Sequence, residues 1–184
     1  MSEAIFVEGL TKTYAGKTVV DHLDLSVKSG TVFGLLGANG AGKSTTIECM
    51  LGTKRADSGT VRLLGKDPKK KRRILFQRIG VQFQEGDYQK EIGVSELCEE
   101  TASLYRSPAG WRELCEQFGI GDKANTAVKS LSSGERQRLF IVLALIPQPE
   151  LVFLDELTTG LDAKARRGVW KTLECLKNRV LRFS

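Results

Sequence analysis

Histidine is nearly missing from this sequence: His22 stands alone among 184 residues. Its four cysteines, Cys49, Cys98, Cys115 and Cys175, lie far apart and form no C-x-x-C pair. A zinc site therefore has no ligand set, and reduced, mostly buried thiols are the expectation. No apolar run approaches the ~20 residues of a membrane-spanning helix. The opening Met-Ser-Glu-Ala lacks the basic and apolar regions of a secretion signal, so the cytosol is the expected compartment. Internal repeats, linkers and low-complexity stretches are absent too.

What is present reads as one soluble globular domain with a sizeable core. Hydrophobic residues make up 41% and charged residues 27%, both ordinary for that class. The net charge of +6 is concentrated: residues 54–73 carry nine Lys/Arg against two Asp, a net of +7. The run Lys69-Lys70-Lys71-Arg72-Arg73 has no interleaved aromatics and so offers no stacking platform for single-stranded nucleic acid. A solvated face is expected there, with an anionic membrane surface or partner as the second option.

The chain is organised around Gly37-Ala38-Asn39-Gly40-Ala41-Gly42-Lys43-Ser44-Thr45, which fits G-x-x-x-x-G-K-[ST]. A chance match in a chain of this length is on the order of one in a hundred. The apolar run 31–36 predicts a strand before the loop, and Lys43 to Leu51 predicts a helix after it. That is the context a phosphate-binding loop requires. Glycines permit close backbone approach and left-handed conformations. The loop amides and the helix N-terminus then form an anion nest. Lys43 can reach β- and γ-phosphates, and the Ser44 hydroxyl can ligate Mg²⁺.

Taken in order, Ala4 to Leu10 predicts a strand and Thr11 to Gly16 a turn. Val19 to Val27 alternates as a half-buried strand with a break near His22. Thr60 to Leu64 predicts a short strand, Lys69 to Gln77 a helix after Pro68, and Arg78 to Phe83 another strand. A helical insertion follows, about 86–146 including the helix that ends at Ile146. It contains amphipathic Val94 to Tyr105, with capping expected from Ser95 and Glu96, and Trp111 to Phe118. Leu151 to Leu154 is a continuous apolar strand, typical of a parallel sheet, ending in Asp155 and Glu156. Carboxylates at a strand's carboxyl end lie where open α/β sheets place ligands. Ala163 to Asn178 predicts a last helix.

With these motifs in this order, the sequence from Ile5 to about Asn178 resembles the ATP-binding cassette (ABC) ATPases. The resemblance implies an α/β fold: a P-loop NTPase core with a mostly parallel sheet, an N-terminal antiparallel β subdomain and a helical signature subdomain, all one nucleotide-binding domain over 1–184. It implies ATP and Mg²⁺ as ligands. Tyr14 would stack on adenine. Gly37, Asn39, Gly40, Ala41, Gly42, Lys43, Ser44 and Thr45 would form Walker A. Gln84 would be the Q-loop glutamine near Mg²⁺ and the attacking water. Leu131 to Glu135 is similar to the signature Leu-Ser-Gly-Gly-Gln, with Ser132, Ser133 and Gly134 binding the γ-phosphate of an ATP on an opposing cassette. Asp155 would hold Mg²⁺ with Ser44 and Gln84, Glu156 would be the catalytic base, and Gly160-Leu161-Asp162 would be the D-loop. Catalysis would rest on Glu156, Gln84 and Lys43.

The partners so implied are a transmembrane permease subunit and a second nucleotide-binding domain, in a homodimer or heterodimer. The location would be the cytoplasmic side, peripheral on the inner face of the cell membrane. No nucleic acid is expected. A soluble ABC-type ATPase acting on nucleic acid or ribosomes, or a non-hydrolysing nucleotide-binding fragment, are the alternatives. Three positions depart from the family pattern: Ser133 for the first signature glycine, Glu135 for the glutamine, and Leu157 for a proline. After the last predicted helix, Arg179 to Ser184 supplies neither the family's next strand nor its γ-phosphate histidine. Poor turnover by this 184-residue form is therefore expected, with nucleotide binding retained.

Overall fold

The first strand, β1 (Glu3–Tyr14), buries the apolar residues Ala4, Ile5, Val7 and Leu10. The buried set steps three residues, from Val7 to Leu10, because an extra residue is bulged there. Val7 pairs with Leu25, and Leu10 with Leu23. The next register shift returns the extra residue on β2 (Lys17–Lys28): Leu10 pairs with Leu23 and Lys12 with Val20. His22 sits in that second bulge at φ 41. The predicted break near His22 is thus a β-bulge, a local kink and not a strand end. His22 is exposed; its Nδ1 lies 2.6 Å from Asp21 Oδ1, and its amide donates to the Thr11 hydroxyl at 3.2 Å.

The expected turn over 11–16 is shorter than the sequence suggests. β1 runs on to Tyr14, and only Ala15 and Gly16 turn, at φ 46 and 82. Positive φ at both central residues matches the twist of a tight hairpin. β3 (Ser58–Leu63) adds to the other side of β1, giving an antiparallel sheet in the order β2-β1-β3. Helix α1 (Lys43–Leu51) follows the glycine loop as expected, burying Thr46, Cys49, Met50 and Leu51.

This computed structural model describes residues 3–31, 33–35, 37–38, 40–82 and 91–154. Two expectations in the first part of the chain need correction. The run 31–36 was expected as a strand, but Thr31, Phe33, Gly34 and Leu35 form none. Strand character needs a hydrogen-bonded neighbour, and among the described residues no strand pairs with this run. Phe33 is 52% exposed. The helix expected over 69–77 shrinks to α2 (Arg72–Leu75). Asp67 Oδ1 accepts from the Lys69 amide at 2.8 Å, which holds the chain in a turn beforehand. Five consecutive like charges also disfavour a longer helix.

The chain divides into two compact units, one ending at Phe76 and one beginning at Gln77. In the second, β4 (Ile79–Gln82) and β5 (Leu151–Leu154) pair in parallel, Ile79 with Leu151 through to Gln82 with Leu154. Parallel neighbours need a long crossover. Here it contains α3 (Val94–Ser103), α4 (Trp111–Gln117), two short 3₁₀ turns and α5 (Ser133–Leu145). These helices share one core that includes Val94, Leu97, Cys98, Trp111, Cys115 and Leu139. Helices α3, α4 and α5 thus lie between β4 and β5 along the chain. The last predicted helix, over 163–178, lies outside the described residues.

Helix α5 approaches the sheet very closely. A Cβ on Gly80 would lie 1.9 Å from the Ala144 carbonyl oxygen, so only glycine fits. Two linkages join the starts of β4 and β5. The Glu150 amide donates to the Arg78 carbonyl at 2.9 Å. Arg78 Nε and Nη2 donate to the two Glu150 carboxylate oxygens at 2.5 and 2.6 Å.

The cap of α3 differs from expectation. Gly93, not Ser95, is the N-cap, and Glu96 Oε2 accepts from the Gly93 amide at 2.8 Å. Ser95 instead donates its amide to the Ala124 carbonyl at 2.9 Å, which ties the helix start to the segment before residue 128. Cys49, Cys98 and Cys115 are buried free thiols, as expected, and Cys175 lies outside the described residues. Hydrogen bonding with Cys115, then burial, pushes the Cys98 thiol far above its ordinary range, so it stays protonated.

Candidate functional site

The glycine loop closes on its own lysine. Lys43 Nζ donates to the carbonyl oxygens of Gly37 and Ala38, at 2.8 and 2.9 Å. An ammonium group has three N–H donors. Two hold the loop in a ring around the amine, and the third, without a partner among the described residues, remains for an incoming anion. The Ala41 amide donates to the Ala38 carbonyl at 3.1 Å, which completes the turn inside that ring. Helix α1 begins at Lys43 with Gly42 as N-cap and no side-chain cap. Its first amides therefore point their partial positive charge out of the helix end without a capping oxygen. One turn further in, the buried Thr46 hydroxyl donates to the Gly42 carbonyl at 2.8 Å and anchors the loop to the helix.

Gly42 is required twice over. Its φ is 84, and a Cβ there would lie 2.5 Å from the Val19 carbonyl oxygen. Strand β2 thus backs the loop, a contact with no sequence signal beyond the motif glycine itself. Val19 is two residues, roughly 7 Å of strand, from Lys17. Lys17 pairs with Tyr14 across the hairpin. The hairpin end that carries Tyr14 is thus a short length of strand from the point where β2 meets the loop. Tyr14 is 41% exposed, with Lys12 Nζ 5.0 Å from its ring centroid. Lys12 also pairs with Asp57 Oδ1 at 2.9 Å, while Asp57 Oδ2 accepts from the Thr13 amide at 2.7 Å. The Lys12 hydrogen bond, then that of Thr13, holds the Asp57 carboxyl below its usual range.

The residues that would hold Mg²⁺ can be tested in part. Ser44 lies in the first turn of α1, partly exposed, and its hydroxyl has no hydrogen-bond partner among the described residues. An uncommitted hydroxyl beside an uncapped helix end fits a hard cation carried by phosphates. Asn39, Gln84, Asp155, Glu156 and the D-loop 160–162 lie outside the described residues. What is described is the pair of strands leading to three of them. β4 and β5 run parallel and in register, so they end side by side at Gln82 and Leu154. Gln82 is 5% exposed, and its Oε1 has no hydrogen-bond partner among the described residues. A single Gln in an apolar run carries no signal in the sequence.

In the second unit, Ser132 is the N-cap of α5. Its Oγ accepts from the Glu135 amide at 3.3 Å, and Glu135 Oε2 accepts from the Ser132 amide at 2.8 Å and from its hydroxyl at 2.7 Å. This is a reciprocal capping box. Lys123 Nζ lies 3.4 Å from Glu135 Oε1. The Ser132 hydroxyl bond, followed by the Ser132 amide, pulls the Glu135 carboxyl down to about 2. Glu135, expected only as a departure from the family pattern, thus organises the helix end that carries Ser132, Ser133 and Gly134. Leu131 anchors it, 4% exposed in the helical core.

The chain is similar to known proteins over most of its length. The ABC transporter family model matches residues 20–159. The chain is 38% identical over 180 residues to the daunorubicin/doxorubicin resistance ATP-binding protein DrrA of Streptomyces peucetius, covering 95% of this chain and 54% of that protein. It is 39% identical over 175 residues to the Nod factor export ATP-binding protein I of Ralstonia nicotianae, covering 92% and 54%. The chain thus spans about half the length of the curated relatives it matches. A solved ATP-binding subunit of an ABC transporter superposes with a TM-score of 0.84, covering 96% of this chain and 75% of that one at 23% identity. Another, from Clostridium perfringens and part of an ABC transporter complex, gives 0.81 at 24% identity, covering 98% and 76%. Those two likenesses establish the P-loop NTPase fold. The family match and the close relatives go further: this chain belongs to the ABC transporter ATP-binding family.

Proposed function

We propose that this chain binds Mg-ATP and hydrolyses it as the ATP-binding subunit of a transporter that moves its substrate outward through a separate membrane permease. The observation that carries this reading is the closed lysine–carbonyl ring at Lys43, set against an uncapped helix N-terminus. That arrangement is built for a polyphosphate: a fixed cation with one free donor beside a row of outward amides. Phosphoryl transfer is mostly positioning and charge stabilisation, so these groups contribute most of the binding and much of the catalysis.

Lys43 would bind the β- and γ-phosphates, and the remaining loop residues Gly37 to Thr45 would supply amides. Ser44, Asp155 and Gln84 would hold Mg²⁺, which would supply positive charge against the phosphates. Glu156 would accept a proton from, or orient, the attacking water. Tyr14, on the hairpin end beside the loop, would stack on the adenine. Ser132, Ser133 and Gly134 would contact the γ-phosphate of an ATP held by a second cassette, so each copy would complete the other's site. The outward direction is favoured by the relatives, one named for drug resistance and one for export. Among the described residues no helix is long and apolar enough to cross a membrane. The spanning path would come from the permease, with this chain on the inner face of the membrane.

Titration with a fluorescent ATP analogue tests the reading. Lys43→Ala removes one charge-assisted contact, worth about 1.5–3 kcal/mol, so affinity should fall by about ten- to a hundredfold. Unchanged affinity would refute it. Glu156→Gln should keep nucleotide binding and lose phosphate release.

A further inference from the structure

We propose that the basic turn Lys69–Ile74 docks this protein on anionic phospholipid headgroups. The turn is held rigidly at both ends. Pro68 is buried, in contact range of the Gly52 position, and Leu75 is fully buried. Between them the Asp67 side chain caps the Lys69 amide at 2.8 Å, and the Lys71 carbonyl accepts from the Ile74 and Leu75 amides at 3.1 and 3.0 Å. All six residues from Lys69 to Ile74 are exposed. The charges are therefore presented on an ordered platform, with part of the ordering cost already met by the fold.

Among the described residues almost nothing neutralises them. Lys70 reaches Asp67 only at 4.0 Å. Arg72 lies over the Phe76 ring at 5.2 Å. Lys69, Lys71 and Arg73 have no ion pair among the described residues. The other acid in the basic region, Asp57, is taken by Lys12. Such a cluster of four to eight cations beside a membrane is the usual signature of an anionic lipid surface.

One residue separates lipid from nucleic acid. Ile74 is 50% exposed at the end of the cationic run. An apolar side chain among cations gains free energy at the headgroup–acyl boundary and gains none on a phosphate backbone. Arg72 lies over one face of the neighbouring Phe76 ring, which takes that face from a stacking base. The choice of lipid rests in part on the transporter reading, which places the chain beside a membrane.

Co-sedimentation of the full chain with lipid vesicles tests the docking. Vesicles of phosphatidylcholine with phosphatidylglycerol should bind it, and phosphatidylcholine alone should not. Binding should weaken as salt rises. The combined Lys69→Gln, Lys71→Gln, Arg73→Gln variant should lower partitioning about a hundredfold, at ~1 kcal/mol per charge. The Lys69→Arg, Lys71→Arg variant should bind as the parent does, and Ile74→Ser should bind several-fold less. Equal binding to both vesicles, an undiminished triple variant, or preferential capture by a single-stranded RNA oligonucleotide would each overturn the proposal. Lys43→Ala should leave vesicle binding intact, so failure here and failure of the nucleotide reading can be told apart.

Discussion

Gly42 and Val19 are in such close contact that a single methyl at position 42 would sit 2.5 Å from the Val19 carbonyl oxygen. The obstacle is main chain, which cannot rotate away. The same residue has φ 84, where an L side chain is strained. Gly42→Ala should therefore cost roughly 2–4 kcal/mol and weaken nucleotide binding, since the loop must move off β2. Thermal melts together with nucleotide titration check both effects. A variant as stable as the parent would mean that β2 does not back the loop.

Gly80 and Ala144 make the corresponding contact in the second unit, with 1.9 Å left for a Cβ. Gly80→Ala should force α5 away from β4, at a cost of about 3 kcal/mol or more. Denaturant unfolding of the full chain measures this. Because Ser132 lies at the other end of α5, a shifted helix should also alter any function of that end.

Glu135 predicts a pH dependence. Its folded carboxyl is depressed from 4.5 to about 2 by the Ser132 bonds. A depressed carboxyl stabilises the fold above its unfolded value, and that contribution is lost as pH falls from about 4.5 through about 2. The melting-temperature advantage of the parent over Glu135→Gln should thus be full at neutral pH and shrink across that window. A gap that stays constant down to about pH 2 would show that the carboxylate charge contributes nothing there.

Arg78 and Glu150 join the starts of the two parallel strands. Hydrogen bonding between them lowers Glu150 and raises Arg78. With side chains 37% and 54% exposed, solvent screens the pair, so its worth is modest despite good two-pronged geometry. A double-mutant cycle on Arg78→Ala and Glu150→Ala should give a coupling of about 0.5–1 kcal/mol. Adding salt should reduce it.

Elements governed by local chemistry were legible without the structure. Amphipathic spacing located α3 and α4, alternation located β2, and short apolar runs located β1, β4 and β5, each to within a few residues. The phosphate loop was legible because its glycines and lysine must be contiguous. The first strand's true length, the short α2 and the Gly93 cap were not, because register shifts and competing side-chain bonds decide them. The run 31–36 shows the limit most clearly. Apolar composition predicted a strand, yet a strand also needs a neighbour to bond with.

The order of motifs along the chain, and with it the family, was determined by sequence alone. Contiguous groups are bound to meet whatever the rest of the chain does. The tertiary structure decided that Val19 braces the phosphate loop, that Gly80 admits α5 against the sheet, and that β4 and β5 end side by side. Those pairs are far apart along the chain, and only packing brings them together. Local propensity extends over a turn or two of backbone, whereas van der Waals exclusion and ladder hydrogen bonds act between whatever the fold makes adjacent.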